Sequence, residues 1–154
     1  MNSRENIEQF LATRRITLIG VSRNPADFTR RLMRDLITRG YEVYPVNPAM
    51  SEIEGRKCYS HAYEVSPDMT TAILMTRAEL LPSLAKDCAV AGIKNAWVLK
   101  SVGDRAIRQQ ALTILNENLI EVIDGLCPYL FLEDAGMPHA LHRGVARLFG
   151  MLPK

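Results

Sequence analysis

Between Ile16 and Phe28 the chain reads ITLIGVSRNPADF, an apolar run that ends in Gly20 and is followed by Val21, Ser22, Arg23, Asn24 and Pro25. A glycine after a buried strand takes backbone angles closed to other residues. The amides behind it can line an anion-binding concavity. Ser22 and Arg23 add a hydroxyl and a guanidinium fork suited to phosphate. If Asn24 caps the next helix, with Pro25 at its first position and Asp27 in its first turn, the positive end of that helix points the same way. The chemistry this pattern predicts is non-covalent grip on a phosphate or diphosphate. GVSRN is not the GxSxG of a nucleophile elbow, so Ser22 reads as a phosphate donor and not as a nucleophile.

An ordinary dinucleotide-binding turn has GxGxxG and an acid about 20 residues on for the adenosine ribose. Here Ser22 and Pro25 stand at the later glycine positions, and the second strand ends in Asn47 and Pro48. An NAD(P) reading loses its two most specific marks. Arg30 and Arg31, on the following helix, read more readily as a solvated face than as phosphate ligands. Cys127 follows the last strand near the mouth of such a site, but a thiol without an evident partner reads as structural. Cys58 and Cys88 read as small core fillers. His139 and His142 share a helix face, and no third metal ligand stands at a sensible spacing.

These residues need a frame, and the hydrophobic pattern provides it. Buried strands are expected at RITLIG, YEVYPVNP, TTAILM, NAWVL and LIEVI, with a short edge strand at Arg56–Tyr59. Pro45 removes one ladder donor from the second. Helices alternate with them: residues 3–12, opened by an Asn2 and Glu5 capping box; a segment with Phe28, Leu32 and Leu36 on one face, ended by Gly40; about 78–91; about 104–118; and a C-terminal helix over about 138–150. Strands alternating with helices give right-handed crossovers and a parallel sheet. The expected fold class is α/β: a Rossmann-like, doubly wound, mostly parallel sheet in three layers, ordered about 3-2-1-4-5-6 with flanking helices. Ligands of such sheets sit beyond the carboxyl ends of the strands where the order reverses, which is where Gly20–Pro25 falls.

A chain of 154 residues fits a single domain, with its core over about 10–127. A formal charge of +2 is too mild for the footprint of a nucleic-acid binder. No apolar run approaches the roughly 18 residues of a membrane span, and MNSRENIEQF has no apolar signal core. Three cysteines without CxxC spacing fit a reducing compartment, so a cytoplasmic location is expected. The C-terminal segment, with Leu141, Val145, Leu148 and Phe149 at helical spacing, is expected to cover the sheet edge or a dimer mate.

Gly20, Ser22 and Pro25 form GxSxxP; GYEVYPVNP spans Gly40–Pro48; Ile53 and Gly55 precede a short strand; Arg77 and Trp97 follow in later strands or just beyond them. At this spacing the chain resembles the small CoA-binding proteins related to the CoA-binding domain of the succinyl-CoA synthetase α subunit. The resemblance covers roughly residues 10–127. It implies coenzyme A or an acyl-CoA as ligand, with Gly20, Val21, Ser22, Arg23 and Asn24 at the diphosphate, Asn47 and Pro48 flanking the adenosine, and Arg77 near the pocket. Leu99–Asp104 stands where the family often has a Gln and Gly turn, which sets the pantetheine side apart. The synthetases hold their phosphorylated histidine and nucleotide-grasp parts in further domains, so this chain is expected to bind without catalysis. An NAD(P)-dependent oxidoreductase or redox sensor, and a ligand-free interaction module, are the competing readings.

Overall fold

The computed structural model describes residues 2–100 and 103–132; the expected C-terminal helix over 138–150, with His139 and His142, lies outside them. Seven strands and four α-helices follow one another along the described chain: α1 Arg4–Ala12, β1 Arg15–Ile19, α2 Phe28–Thr38, β2 Glu42–Val46, β3 Glu52–Ile53, β4 Arg56–Lys57, β5 Thr71–Leu74, α3 Leu81–Val90, β6 Asn95–Val98, α4 Arg105–Glu117 and β7 Glu121–Asp124. Five of the strands form one parallel sheet in the order β2-β1-β5-β6-β7. The fold is Rossmann-like α/β, and the order reverses beside β1.

The segment expected as a third strand of this sheet behaves differently. Arg56–Lys57 folds back on Glu52–Ile53 as an antiparallel hairpin, and only Tyr59 reaches the sheet, by a parallel bridge to Val46. The sixth place in the expected order thus shrinks to one residue. Two local features explain it. Glu54 and Gly55 both have positive φ, +51° and +73°, the requirement of a tight two-residue hairpin turn. On the outer edge of β2, Pro45 has no N–H to offer: the Glu42 amide donates inward to Arg14 O, so by strand alternation position 45 faces outward. Tyr59 makes what bonds remain, donating to Pro45 O at 2.9 Å and accepting from the Asn47 amide at 2.9 Å.

The sheet carries a core on each face. On one, Ile16, Leu18, Ile73 and Trp97 pack with Leu32 and Leu36 of α2 and with Phe10 of α1. On the other, Ile19, Leu74 and Val98 pack with Ala85 and Cys88 of α3 and Leu115 of α4. Trp97 is fully buried, meets the Phe10 ring edge-on at 5.4 Å, and donates from Nε1 to Leu126 O at 2.8 Å. An aromatic pair of this geometry contributes about 1 kcal/mol beyond the area it buries.

The cap of α1 is Ser3, whose Oγ accepts from the Asn6 amide at 3.1 Å, and not Asn2. A tertiary contact takes Asn2 away: its side chain donates to Asp124 O at 2.8 Å and accepts from Asp124 N at 2.7 Å, continuing the sheet past β7 like one more strand residue.

Candidate functional site

Gly20 closes β1 with φ +92°, and a Cβ placed there would lie 2.2 Å from the Met75 carbonyl oxygen at the end of β5. Only glycine fits, because two neighbouring strand ends meet at this point. The Gly20 amide donates back to Val46 O of β2 at 3.0 Å. Three site-forming strands, β2, β1 and β5, are therefore tied together at a single residue.

From Gly20 the chain does not enter a helix at once. The cap of α2 is Asp27, whose Oδ1 accepts from the amide and the hydroxyl of Thr29 at 2.8 and 2.7 Å. Asn24, expected as the cap, instead closes a turn of its own: Oδ1 accepts from Ala26 N at 3.0 Å and its carbonyl accepts from Asp27 N at 3.1 Å. This corrects the electrostatics expected from the sequence. A carboxylate already sits on the positive end of α2, so an anion is better held over the loop before it.

Within that loop the donors divide into two sets. Ser22 N donates to Thr29 Oγ1 at 2.8 Å and Asn24 N to Ser22 Oγ at 3.1 Å. Among the described residues, the Val21 and Arg23 amides have no acceptor; Val21 is fully buried, so only the Arg23 amide is presented at the surface. Arg23 is exposed beside them. Ser22 thus braces the loop with its amide and hydroxyl.

Asn47, just past the end of β2, reaches this loop, and Pro48 follows it. Asn47 Nδ2 donates to Val21 O at 2.8 Å, and its Oδ1 accepts from Ala49 N at 2.8 Å. Both ends of the carboxamide are occupied, so Asn47 positions the two loops against each other. Pro48 is exposed and borders a cleft of about 460 Å³, shared with Met50, Lys57, Cys58, Tyr59 and Glu64. Arg77 is exposed just past the end of β5, two residues beyond the Met75 carbonyl that Gly20 approaches.

Arg30 differs from its expected place on a solvated face. Its side chain is 7% exposed, and it donates to Glu54 Oε1 at 2.6 and 3.0 Å and to Ser22 O at 3.2 Å. Arg34 adds contacts to Glu54 at 3.4 Å and to Pro25 O at 2.7 Å. The hairpin tip is thereby clamped onto the loop after β1. Sequence reasoning missed this link because Glu54 lies 24 residues from Arg30 and no local pattern joins them. Arg31 stays exposed.

The thiols take no visible part. Cys58 and Cys88 are buried, Cys127 is half-buried, and all three are free. Burial pushes the Cys127 thiol above its ordinary pKa, which disfavours the reactive thiolate. Tyr129 donates to Asp35 of α2; burial first, and then that carboxylate, hold its phenol well above the ordinary range. Among the described residues no group of three His, Cys, Asp or Glu side chains is placed to hold a metal, and no helix is long and apolar enough to cross a membrane. The arrangement offers an unpaired amide at Arg23, the exposed side chains of Arg23 and Arg77 and a cleft-side lysine. That is chemistry for recognising an anion.

Known proteins share this frame. A family model described as a CoA binding domain matches residues 14–133. An ADP-forming acetate–CoA ligase of Methanocaldococcus jannaschii is 25% identical over 116 residues, covering 73% of this chain and 16% of the ligase. This chain therefore spans about a sixth of that relative's length. A conserved hypothetical protein of Pyrococcus furiosus superposes with a TM-score of 0.64 at 33% identity, covering 73% of this chain and 94% of that one. A dinucleotide-forming acetyl-coenzyme A synthetase of Ca. Korarchaeum cryptofilum gives a TM-score of 0.69 at 25% identity, covering 77% of this chain and 27% of the synthetase. With the family model covering most of its length and the strand-end loops built as described, the chain belongs to the CoA-binding domain family.

Proposed function

We propose that this chain binds coenzyme A or an acyl-CoA as a non-catalytic carrier, sensor or regulatory module. The loop Gly20–Pro25 takes the diphosphate through the Arg23 amide and side chain, with Gly20, buried Val21, Ser22 and Asn24 shaping the turn that presents them. The Asn47–Pro48 shoulder holds the adenosine, and Arg77 adds charge from the neighbouring strand end. The observation that carries this reading is the Arg23 amide left without an acceptor beside its own exposed side chain, at the point where strand order reverses. Free N–H groups in a brace of paired ones are pre-organised for a phosphate. Free thiols at Cys58, Cys88 and Cys127 accord with a cytoplasmic location.

Calorimetric titration with CoA, acetyl-CoA, NAD and NADP tests it. CoA or acetyl-CoA is expected to bind most tightly, and Arg23→Ala to weaken that binding about tenfold, the scale of one charge-assisted hydrogen bond. Thermal stability should stay within about 0.5 kcal/mol, because Arg23 is exposed. Tighter binding of NAD than of CoA would replace this reading with that of a pyridine-nucleotide protein, and no binding by any of the four would leave an interaction module. Gly20→Asp is a poor probe here, since any side chain at that position strikes Met75 whether or not a ligand binds.

A further inference from the structure

The adenosine ribose of a doubly wound fold lies at the carboxyl end of the second strand, where an acid receives a free ribose and a cation a phosphorylated one. In this chain β2 ends at Val46, and the residue that follows, Asn47, has its carboxamide occupied at both ends by Val21 O and Ala49 N. The residue at this strand end is thus a carboxamide and not an acid. Beside it opens the cleft between Pro48, Met50, Tyr59 and Glu64, and Lys57 stands on its wall. The Lys57 ammonium lies 4.6 Å from the centroid of the Tyr59 ring. A cation over an aromatic face is held in place, yet it keeps its N–H donors available.

The surrounding acids do not neutralise it. Glu52 stands opposite Lys57 in the hairpin register, but among the described residues no carboxylate forms an ion pair with that ammonium. Glu64 shares the cleft, and its Oε2 accepts from the amides of Ser60 and His61 at 3.0 and 3.4 Å. An unpaired lysine, steadied by a ring and sharing a cleft with the residues that follow β2, has the chemistry of a receptor for a phosphate on the ribose.

We propose that Lys57 reads the 3′-phosphate of the coenzyme's ribose and so sets the preference of this site for CoA over its dephosphorylated form. The inference rests on the CoA-binding reading and adds a selectivity residue to it. The same chemistry would serve the 2′-phosphate of NADP, so both sources enter the test.

The experiment is a calorimetric comparison of CoA, 3′-dephospho-CoA, NADP and NAD on the full chain, for the native protein and for Lys57→Gln, Lys57→Arg and Arg56→Gln. Native protein should prefer CoA to 3′-dephospho-CoA by about tenfold or more. Lys57→Gln should remove most of that preference by weakening CoA alone, Lys57→Arg should keep part of it, and Arg56→Gln, next to it on the hairpin, should leave the ratio unchanged. Lys57 is exposed, so the variants are expected to fold, and thermal melts confirm it. Equal loss of both CoA forms in Lys57→Gln, or no preference in the native protein, overturns the role of Lys57 while leaving CoA binding intact. Tighter binding of NADP than of CoA, or no binding of either CoA form, overturns the CoA reading and this inference with it.

Discussion

The loop after β1 and the hairpin beside β2 face each other across one clamp, and they are built on opposite plans. Around Gly20–Asp27 most polar groups are tied up: Ser22 to Thr29 and Asn24, Asn24 to Ala26 and Asp27, Asp27 to Thr29, and the Val21 and Ser22 carbonyls to Asn47 and Arg30. Around the hairpin, Lys57 has a ring beneath it and no carboxylate among its described partners. The loop is a frame whose strength lies in what it has already paired. Apart from Glu54, which the clamp pairs, the hairpin presents at Lys57 a charge that is still free. A side chain braced on two sides can aim a neighbouring amide at a ligand, but it has little left to discriminate between ligands. We expect loss of frame residues, the clamp's Glu54 among them, to change stability most, and loss of the unpaired charge at Lys57 to change selectivity with stability unmoved.

The sharpest way to break that contrast is Gly20→Ala. The new methyl would meet the Met75 carbonyl at 2.2 Å in a backbone conformation that alanine disfavours. Overpacking and strain together should lower unfolding free energy by about 3 to 4 kcal/mol, read from urea unfolding. A loss below about 1 kcal/mol would mean that the strand ends yield and are no frame. Next in size is Glu54→Ala, which leaves the buried Arg30 guanidinium with only the Ser22 carbonyl of its present partners. Removing one partner of a buried pair typically costs about 3 to 5 kcal/mol, and with Glu54 27% exposed the expectation falls to about 2 kcal/mol. Arg34→Ala, which removes a 46% exposed partner of the same carboxylate, should cost about 0.5 kcal/mol or less in contact energy. Equal losses in Glu54→Ala and Arg34→Ala would show that the clamp is ordinary surface pairing.

The same contrast decides how much was legible from the residues alone. The apolar runs around Leu18, Ile73 and Trp97 announce strands buried on both faces, and five such strands lie where the pattern put them. Gly20 was legible because a glycine at the end of such a strand has few other uses. Helix starts were less so. Asn2 competes with Ser3, and Asn24 with Asp27, and each pair consists of two competent caps. Contacts outside the local sequence decide between them, as when Asn2 is drawn to Asp124 across 122 positions. Arg30 sits at a helical spacing that looks solvated until a hairpin tip 24 residues away covers it. The hairpin was hidden behind an expected edge strand, because Pro45 and the Glu54–Gly55 turn act together and neither alone dictates the outcome. Lys57 carried no signal: one lysine in an exposed pair has no pattern, and its meaning comes from Tyr59 beneath it and the cleft beside it.

A stabilising substitution sharpens the contrast from the other direction. Thr17 lies in the middle of β1, fully buried, and its hydroxyl is the one buried side-chain polar group among the described residues with no hydrogen-bond partner. A buried hydroxyl left unpaired costs about 1 to 3 kcal/mol of desolvation. Valine keeps the branched shape and the strand preference while removing that polar atom. Thr17→Val is therefore expected to raise stability by about 1 kcal/mol and the melting temperature by about 2 to 4 °C. Affinity for CoA should not change, because β1 delivers the loop through Gly20 and the loop is fixed by its own cross-braces, none of which involves Thr17. A stabilised variant with altered affinity would mean that strand rigidity reaches the ligand, and the separation of frame from recognition would fail. A destabilised variant would mean that the hydroxyl holds an ordered water, making this strand one more braced part of the frame.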